Sequence, residues 1–463
     1  MFLKQIIHTY IEPAMVLLSH IGFMVLMASL PLSKGTSSVT LGIVTGFSIL
    51  FLLFSGFTHR PTNYPYRLTY LFWLFFGCYL LGLLYSNQFA VGIKVAYKQN
   101  AYLLIPFIVL IGSSLVKWHG VLYLKWFVWG TAFACLVTVS LYLLPEEVLQ
   151  QISGQLPRWG LNKFPQGVQL EKFGFYAPFI DRLSTSYFLS LSAITCCWLI
   201  VARQQTLWFS LILLVLFLFT SLILGGRGGQ LGLLAGLMVW IGYAMNKGLH
   251  RISFRRGILK KITLLGLMLM LVVGVPYLLF NHVPVVWERY NQLFWELSML
   301  QNNTYQTYDY QHFTSLRRIC SWMGSWELIK LNPLLGVGTG DFRYEMQQIY
   351  LLKGWDIPVN AHNQFLQIWA TLGLTGLVLF CGIIIAFLRH LYRFGNSLLR
   401  VFGVSIIVFY SVVFLFDSAL NMQAGHMTFV LFLSILALQT NRFGNTTAIE
   451  NRNETQLNRR EGL

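Results

Sequence analysis

Stretches of roughly twenty apolar residues, separated by short polar connections, recur along nearly the whole chain. A helix needs about 20 such residues to cross a bilayer. About twelve runs qualify, near 14–33, 39–57, 68–86, 101–116, 120–144, 183–202, 206–224, 229–246, 262–281, 362–388, 398–416 and 427–441. The pattern predicts an all-α polytopic membrane protein of about twelve transmembrane helices. The first run follows MFLKQIIHTYIEP without a small-residue cleavage site, so it is expected to remain as an uncleaved span.

Two connections are too long for simple turns, at about 145–182 and about 282–361. Loops longer than about 12–15 residues are usually functional or disordered, and the second is too rich in Trp and Tyr for disorder. Within it, SLRRICSWMGSWELIKLNP spaces Ile319, Trp322, Met323, Trp326 and Ile329 as one face of an amphipathic helix. Asn332-Pro333 should end that helix. The chain therefore divides into an N-terminal transmembrane bundle (1–204), helices carrying Arg227 at their outer end (205–281), a large, partly helical loop (282–361), C-terminal helices (362–441) and a polar tail (442–463) expected to be disordered.

Composition agrees with residence in lipid: 56% of residues are hydrophobic and 11% charged, against about 25% charged in soluble domains. The net charge of +17 would suit nucleic acid, but its distribution argues otherwise. With the N-terminus in the cytoplasm, the inner loops collect Arg60, Arg67, Lys117, Arg203, the stretch NKGLHRISFRRGILKK, Arg389, Arg393, Arg400 and the Arg-bearing tail. That is the positive-inside pattern, which places both termini in the cytoplasm and both long loops outside. Five of the six cysteines fall inside predicted spans and no CxxC or His/Cys spacing occurs, so neither a disulfide framework nor a metal site is expected.

Several polar groups stand at the outer ends. Arg227, in LILGGRGGQLGLL, has two glycines on each side. An arginine at a membrane edge either snorkels or binds an anion, and glycine lets a ligand approach closely. Arg317 and Arg318 open the loop helix, either as a solvated pair or as anion ligands. His362 and Asn363, in VNAHNQFLQIWATLGLTGLVLF, stand at the lip of the tenth span. LLGVGTGDF lacks the spacing of a nucleotide loop and reads as a tight turn returning the loop helix toward His362. Arginine forks suit phosphate oxygens, and histidine is the commonest proton acceptor for a hydroxyl near neutral pH. The set fits transfer from a membrane-bound phosphate ester to a hydroxyl.

Over about 205–441 the sequence resembles the O-antigen ligase and polymerase superfamily of polytopic glycosyltransferases. The carriers are Arg227 at an outer span end, Arg318 four residues before Trp322, Pro-Leu-Leu-Gly-Val-Gly from Pro333 to Gly338, then His362-Asn363. DSALNMQAGHMTFVLF, with Asp417 and Gln423, is similar to the acidic-then-Gln-x-Gly segment of ligase-like members. Two departures stand out: Gly226 precedes Arg227 where the family usually has serine, and the Arg317-Arg318 doublet leaves the register of the loop arginine open.

The resemblance implies a GT-C-like fold in the bacterial inner membrane and a periplasmic active site that needs no cofactor, nucleotide or metal. It implies a glycan donor on undecaprenyl diphosphate and a hydroxyl acceptor, lipid A–core or another glycan, with inversion. Arg227 and Arg318, or Arg317, would hold the diphosphate, and His362 would activate the acceptor. Asn363, Arg182, Lys94, Lys98, Asp417 and Gln423 are supporting candidates. A ligase is the first reading. The others are a repeat-unit polymerase, a protein O-oligosaccharyltransferase and, from a different class, a transporter, which would place its ionisable groups near mid-membrane.

Overall fold

The computed structural model describes residues 12–55, 65–115, 119–145, 177–251, 284–302, 314–355 and 357–440, with a few isolated positions between them. The span expected at 262–281, most of the loop at 145–182 and the tail after 442 lie outside the described residues. The other eleven apolar runs are all helical. The first nine helices are α1 (Glu12–Ser29), α2 (Lys34–Ser55), α3 (Tyr66–Leu84), α4 (Phe89–Lys98), α5 (Ala101–Leu115), α6 (Gly120–Leu143), α7 (Arg182–Val201), α8 (Leu207–Leu224) and α9 (Arg227–Arg251). The long loop contributes α10 (Pro284–Gln301), α11 (Thr314–Leu331) and α12 (Phe342–Lys353). They are followed by α13 (Gln364–Phe394), α14 (Ser397–Phe416), a 3-10 turn (Ala419–Asn421) and α15 (Gln423–Thr440). Among the described residues, nine helical stretches are long and apolar enough to cross a membrane, and two more are apolar but shorter. No strand occurs among them. The chain is a multi-pass, all-α membrane protein.

Helices α7 and α15 are buried along nearly their whole length and form the centre. Many of their polar residues are serines and threonines, whose hydroxyls bond locally or across helices, as expected for side chains buried in a membrane bundle. Ser190 donates to the Gly229 carbonyl at 3.0 Å and Ser192 to Thr131 at 2.9 Å. Gly226 and Gly229, on either side of Arg227, serve this packing. A Cβ on Gly229 would lie 2.3 Å from Ser186 Oγ, and one on Gly232 would lie 2.8 Å from Phe409. Close contact with α7 and α14 is what those glycines permit. Gly225, at φ 63°, caps α8 in the left-handed region, so α9 begins at Arg227 itself.

The loop helix α11 ends at Leu331, before Asn332-Pro333 as expected, but its buried face differs from the expected one. Leu316, Cys320, Ser321, Ser325, Leu328 and Ile329 are buried, whereas Met323 and Trp326 are exposed. The reason is the size of the neighbours: the small residues let α12 close in, with Gly324 against Tyr350 and Met346 and Tyr350 donating to Ser321 at 3.0 Å. Large aromatics would hold α12 off. They turn to α13 instead, where Trp326 meets Trp369 edge-on at 5.8 Å.

The Leu334–Phe342 segment is a clamp. Helix α13 breaks at Gly373, whose φ of 69° and ψ of −170° interrupt its hydrogen bonds. The carbonyls left over at Ala370 and Thr371 accept from Val337 and Gly338 at 2.9 and 3.0 Å, and Leu374 donates to Pro333 at 3.0 Å. Gly336 and Gly338, at φ 71° and 104°, make the approach possible. Thr339 then bonds the Tyr79 carbonyl at 2.7 Å, and the buried Asp341 carboxylate accepts from the backbone of Asn87 and Gln88 at the start of α4. Irregular backbone inside a membrane protein is tolerated when protein surrounds it in this way.

A methyl group at Gly373 would sit 2.1 Å from the Leu334 carbonyl oxygen, in a backbone region that disfavours side chains. Gly373→Ala should therefore cost about 1–3 kcal/mol or more and lower the melting temperature in detergent by several degrees. Gly382→Ala on the same helix, with its nearest neighbour at 3.9 Å, should melt like wild type. Equal melting of the two variants would mean that close packing does not hold the kink.

Candidate active site

The N-termini of α7, α9 and α13 and the C-terminus of α14 meet at one end of the bundle, with α11 against them. The opposite end carries Arg67, Arg203, Arg389, Arg393 and Arg400. His362 lies just before the N-cap of α13, with φ at 48°. Left-handed backbone is uncommon for residues other than glycine, although His and Asn adopt it more readily than most. Its surroundings hold it there. Its N–H donates to Asn360 Oδ1 at 3.1 Å, and its carbonyl accepts from Trp322 Nε1 at 3.1 Å. Asn363 is the N-cap: its Oδ1 accepts from Leu366 N at 3.0 Å, and its amide donates to the Leu415 carbonyl at 3.2 Å. Asn363 therefore fixes α13 to α14 and positions its neighbour.

Asp417, only 5% exposed, ends α14 and faces His362, with Oδ1 3.6 Å from Nδ1. That is an ion-pair distance rather than a hydrogen bond. Oδ1 also accepts from Ser418 N at 2.9 Å, and Oδ2 accepts from the Tyr187 hydroxyl on α7. Burial pushes the Asp417 carboxyl up, but interaction with His362, the Tyr187 hydrogen bond and the charges of His362 and Arg318 outweigh it. The pKa ends below the usual carboxylate range, so Asp417 is charged at neutral pH. A buried charge persists only when paired and hydrogen-bonded, and both conditions are met.

One arginine acts on this carboxylate, and two others open neighbouring helices. Of the loop doublet, Arg318 is the one whose charge acts on both Asp417 and Tyr187. Arg182 opens α7 and Arg227 opens α9, close enough to feel each other's charge. The first turn of α9 lies against the site: a Cβ on Gly228 would be 4.0 Å from the Tyr187 hydroxyl and 3.8 Å from Phe416 Cβ. Two cations on adjacent helix N-termini make a strongly anion-favouring surface, since those termini add positive potential.

The other candidates lie elsewhere. Gln423 donates to Ser38 and ties α15 to α2. Lys94 and Lys98 line a separate cavity. Tyr187 escaped sequence reading because it lies in an apolar run, where a tyrosine reads as packing. Its position five residues after Arg182 was the only available signal. Lys34 and Asp181, paired at 3.1 Å beside Arg182, were also missed.

A family model described as O-Antigen ligase matches residues 212–381. Over those residues the chain is similar to the O-antigen ligase family. The match takes in Arg227, Arg318 and His362, while Arg182, Tyr187 and Asp417 lie outside it and join the site only through folding. No curated protein matches the chain. The match supports a glycosyltransferase of the ligase or polymerase kind.

Because the folded-state pKa of Asp417 is depressed, the group contributes stability above its unfolded value of about 3.9. That contribution is lost as pH falls through the folded value. Thermal melts of wild type should therefore fall more steeply below about pH 4 than those of Asp417→Asn, which has no such carboxylate to protonate. Parallel curves would show that the carboxylate is not held in its charged form by the fold.

Proposed function

We propose that the protein transfers a glycan from undecaprenyl diphosphate to a hydroxyl of lipid A–core on the periplasmic side of the bacterial inner membrane. The observation that carries this reading is the Asp417–His362 pair with Arg318 at its side, next to the helix starts of Arg182 and Arg227. Orientation follows from charge. Basic residues favour the cytoplasmic side, and the end bearing Arg203, Arg389, Arg393 and Arg400 is placed there. The arginines at the other end run against that rule, which supports a task for them beyond topology. Their position at the bundle's end, rather than mid-membrane, favours chemistry at a surface over transport.

In this mechanism the donor diphosphate lies against Arg182, Arg227 and Arg318. The acceptor hydroxyl oxygen attacks the anomeric carbon from the opposite face. The new C–O bond forms as the bond to the diphosphate oxygen breaks, and that oxygen keeps the electron pair. A single displacement inverts the anomeric centre. The hydroxyl proton passes to Nε2 of His362, because Nδ1 faces Asp417 and carries the other proton. The Asp417 carboxylate then steadies the imidazolium, and the arginines stabilise the charge that develops on the leaving diphosphate.

Purified protein would be given undecaprenyl-diphosphate-linked glycan and lipid A–core. Wild type should yield glycosylated core. His362→Ala should lose about 10²–10⁴-fold in rate, and Arg227→Ala and Arg318→Ala about 10²–10³-fold each. Arg317→Ala should retain most activity. Longer lipid-linked chains with unmodified core would replace the ligase reading by a polymerase, and full activity in His362→Ala would remove its assigned role.

A further inference from the structure

A cavity of about 470 Å³ opens beside the site, between α4, the clamp and the segment leading to His362. Its size is within the range of about 300–1,000 Å³ usual for small-molecule sites. Lys94 and Lys98, one turn apart on α4, line it together with Arg343 at the start of α12. Among the described residues none of these three forms an ion pair, and no acidic residue lines the cavity. Gln99 and Gln367 also line it. They are 3% and 8% exposed, and each keeps an amide oxygen without a hydrogen-bond partner. The Gln99 amide nitrogen is committed to the Leu420 carbonyl at 3.2 Å, so its oxygen is the end left over. Cations with unpaired amide acceptors make the complement of a sugar that carries both hydroxyls and negative charge.

Two observations separate this cavity from a donor diphosphate site. None of Arg182, Arg227, Arg318 or His362 lines it. Its wall does include Asn360, whose side chain accepts from the His362 backbone N–H. A ligand here would touch the segment that carries the proposed base, from a direction other than the arginines. We infer that this cavity is the acceptor subsite, and that it binds an acceptor glycan through an anionic substituent held by Lys94, Lys98 and Arg343. The inference rests on the glycosyl-transfer reading for the word acceptor, but not for the anion site itself. In this arrangement the cations set where the acceptor lies, and the clamp holds α4 and α12 at the spacing the three cations need. Asp341 serves both elements: it precedes α12 and accepts from the backbone N–H groups of Asn87 and Gln88, just ahead of α4.

The test uses the full-length protein in detergent and a variant with Lys94→Gln, Lys98→Gln and Arg343→Gln, all three being exposed positions. Binding is measured calorimetrically with a phosphorylated core oligosaccharide and with the same oligosaccharide after phosphatase treatment. Wild type should bind the phosphorylated form about tenfold more tightly than the treated form, with affinity falling as salt rises. The variant should bind both forms equally weakly. In transfer assays the variant should raise KM for the acceptor about tenfold and leave kcat and the donor KM unchanged. A rise in donor KM instead would assign the cavity to the donor and overturn the proposal. Unchanged binding and kinetics would overturn it outright. Wild type that binds the phosphorylated oligosaccharide through these residues yet transfers nothing would keep the anion subsite and sink the transfer reading alone.

Discussion

A single buried carboxylate, that of Asp417, joins parts of the chain that are far apart in sequence. Removing a charge from water costs several kcal/mol unless partners replace the lost hydration, so the fold must bring partners to it. Tyr187 comes from α7, His362 from the approach to α13, Ser418 from the next residue, and Arg318 acts from α11. Each partner sits at or near an element's end. The need to satisfy one charge therefore brings four element ends together and leaves an imidazole at their junction. The same charge that holds the junction together also orients that imidazole, so structural and chemical roles cannot be separated at this position.

The loop helices are placed by a different constraint. An α-helix broken at Gly373 has carbonyls to satisfy, and the Pro333–Gly338 segment satisfies them. Because hydrogen bonds at such a break have definite positions, α11 cannot slide along α13. Trp322 then reaches the His362 carbonyl, and Arg318, one turn earlier on the same helix, is brought to Asp417. The clamp also grips the end of α3 and the start of α4 through Thr339 and Asp341. The distance between the proposed diphosphate-binding and acceptor regions is thus set by hydrogen bonds that engage backbone groups of α3, of α13 and of the residues just ahead of α4.

Small residues govern how closely the helices approach. On α9 the glycines beside Arg227 press against Ser186 and Phe409, and on α11 Cys320, Gly324 and Ser325 leave room for α12. In a bilayer, association depends on close packing and interhelical hydrogen bonds rather than on expulsion of water. A glycine flanking a charged residue is therefore ambiguous in sequence: it serves a ligand or a neighbouring helix with equal ease. Here it is mainly the neighbouring helix.

The sequence by itself determined that the chain is helical and membrane-spanning, because the length of an apolar run and the charge of its flanks are local properties that a bilayer reads directly. Eleven of the expected runs coincide with described helices, and the stop at Asn332-Pro333 was equally local. Arg227 and His362 could be singled out as candidates, since a polar group at the lip of an apolar run is conspicuous. Only the tertiary structure decided which groups meet them. Tyr187 looked like any aromatic within a span, the buried face of α11 was misread because large aromatics outweighed a stripe of small residues, and Arg317 could not be told from Arg318. Lys94 and Lys98 lie far from Arg343 in sequence and share a cavity with it only because the clamp folds α12 onto α4. Spacing along a chain records the period of a helix, but not which helix will lie beside it.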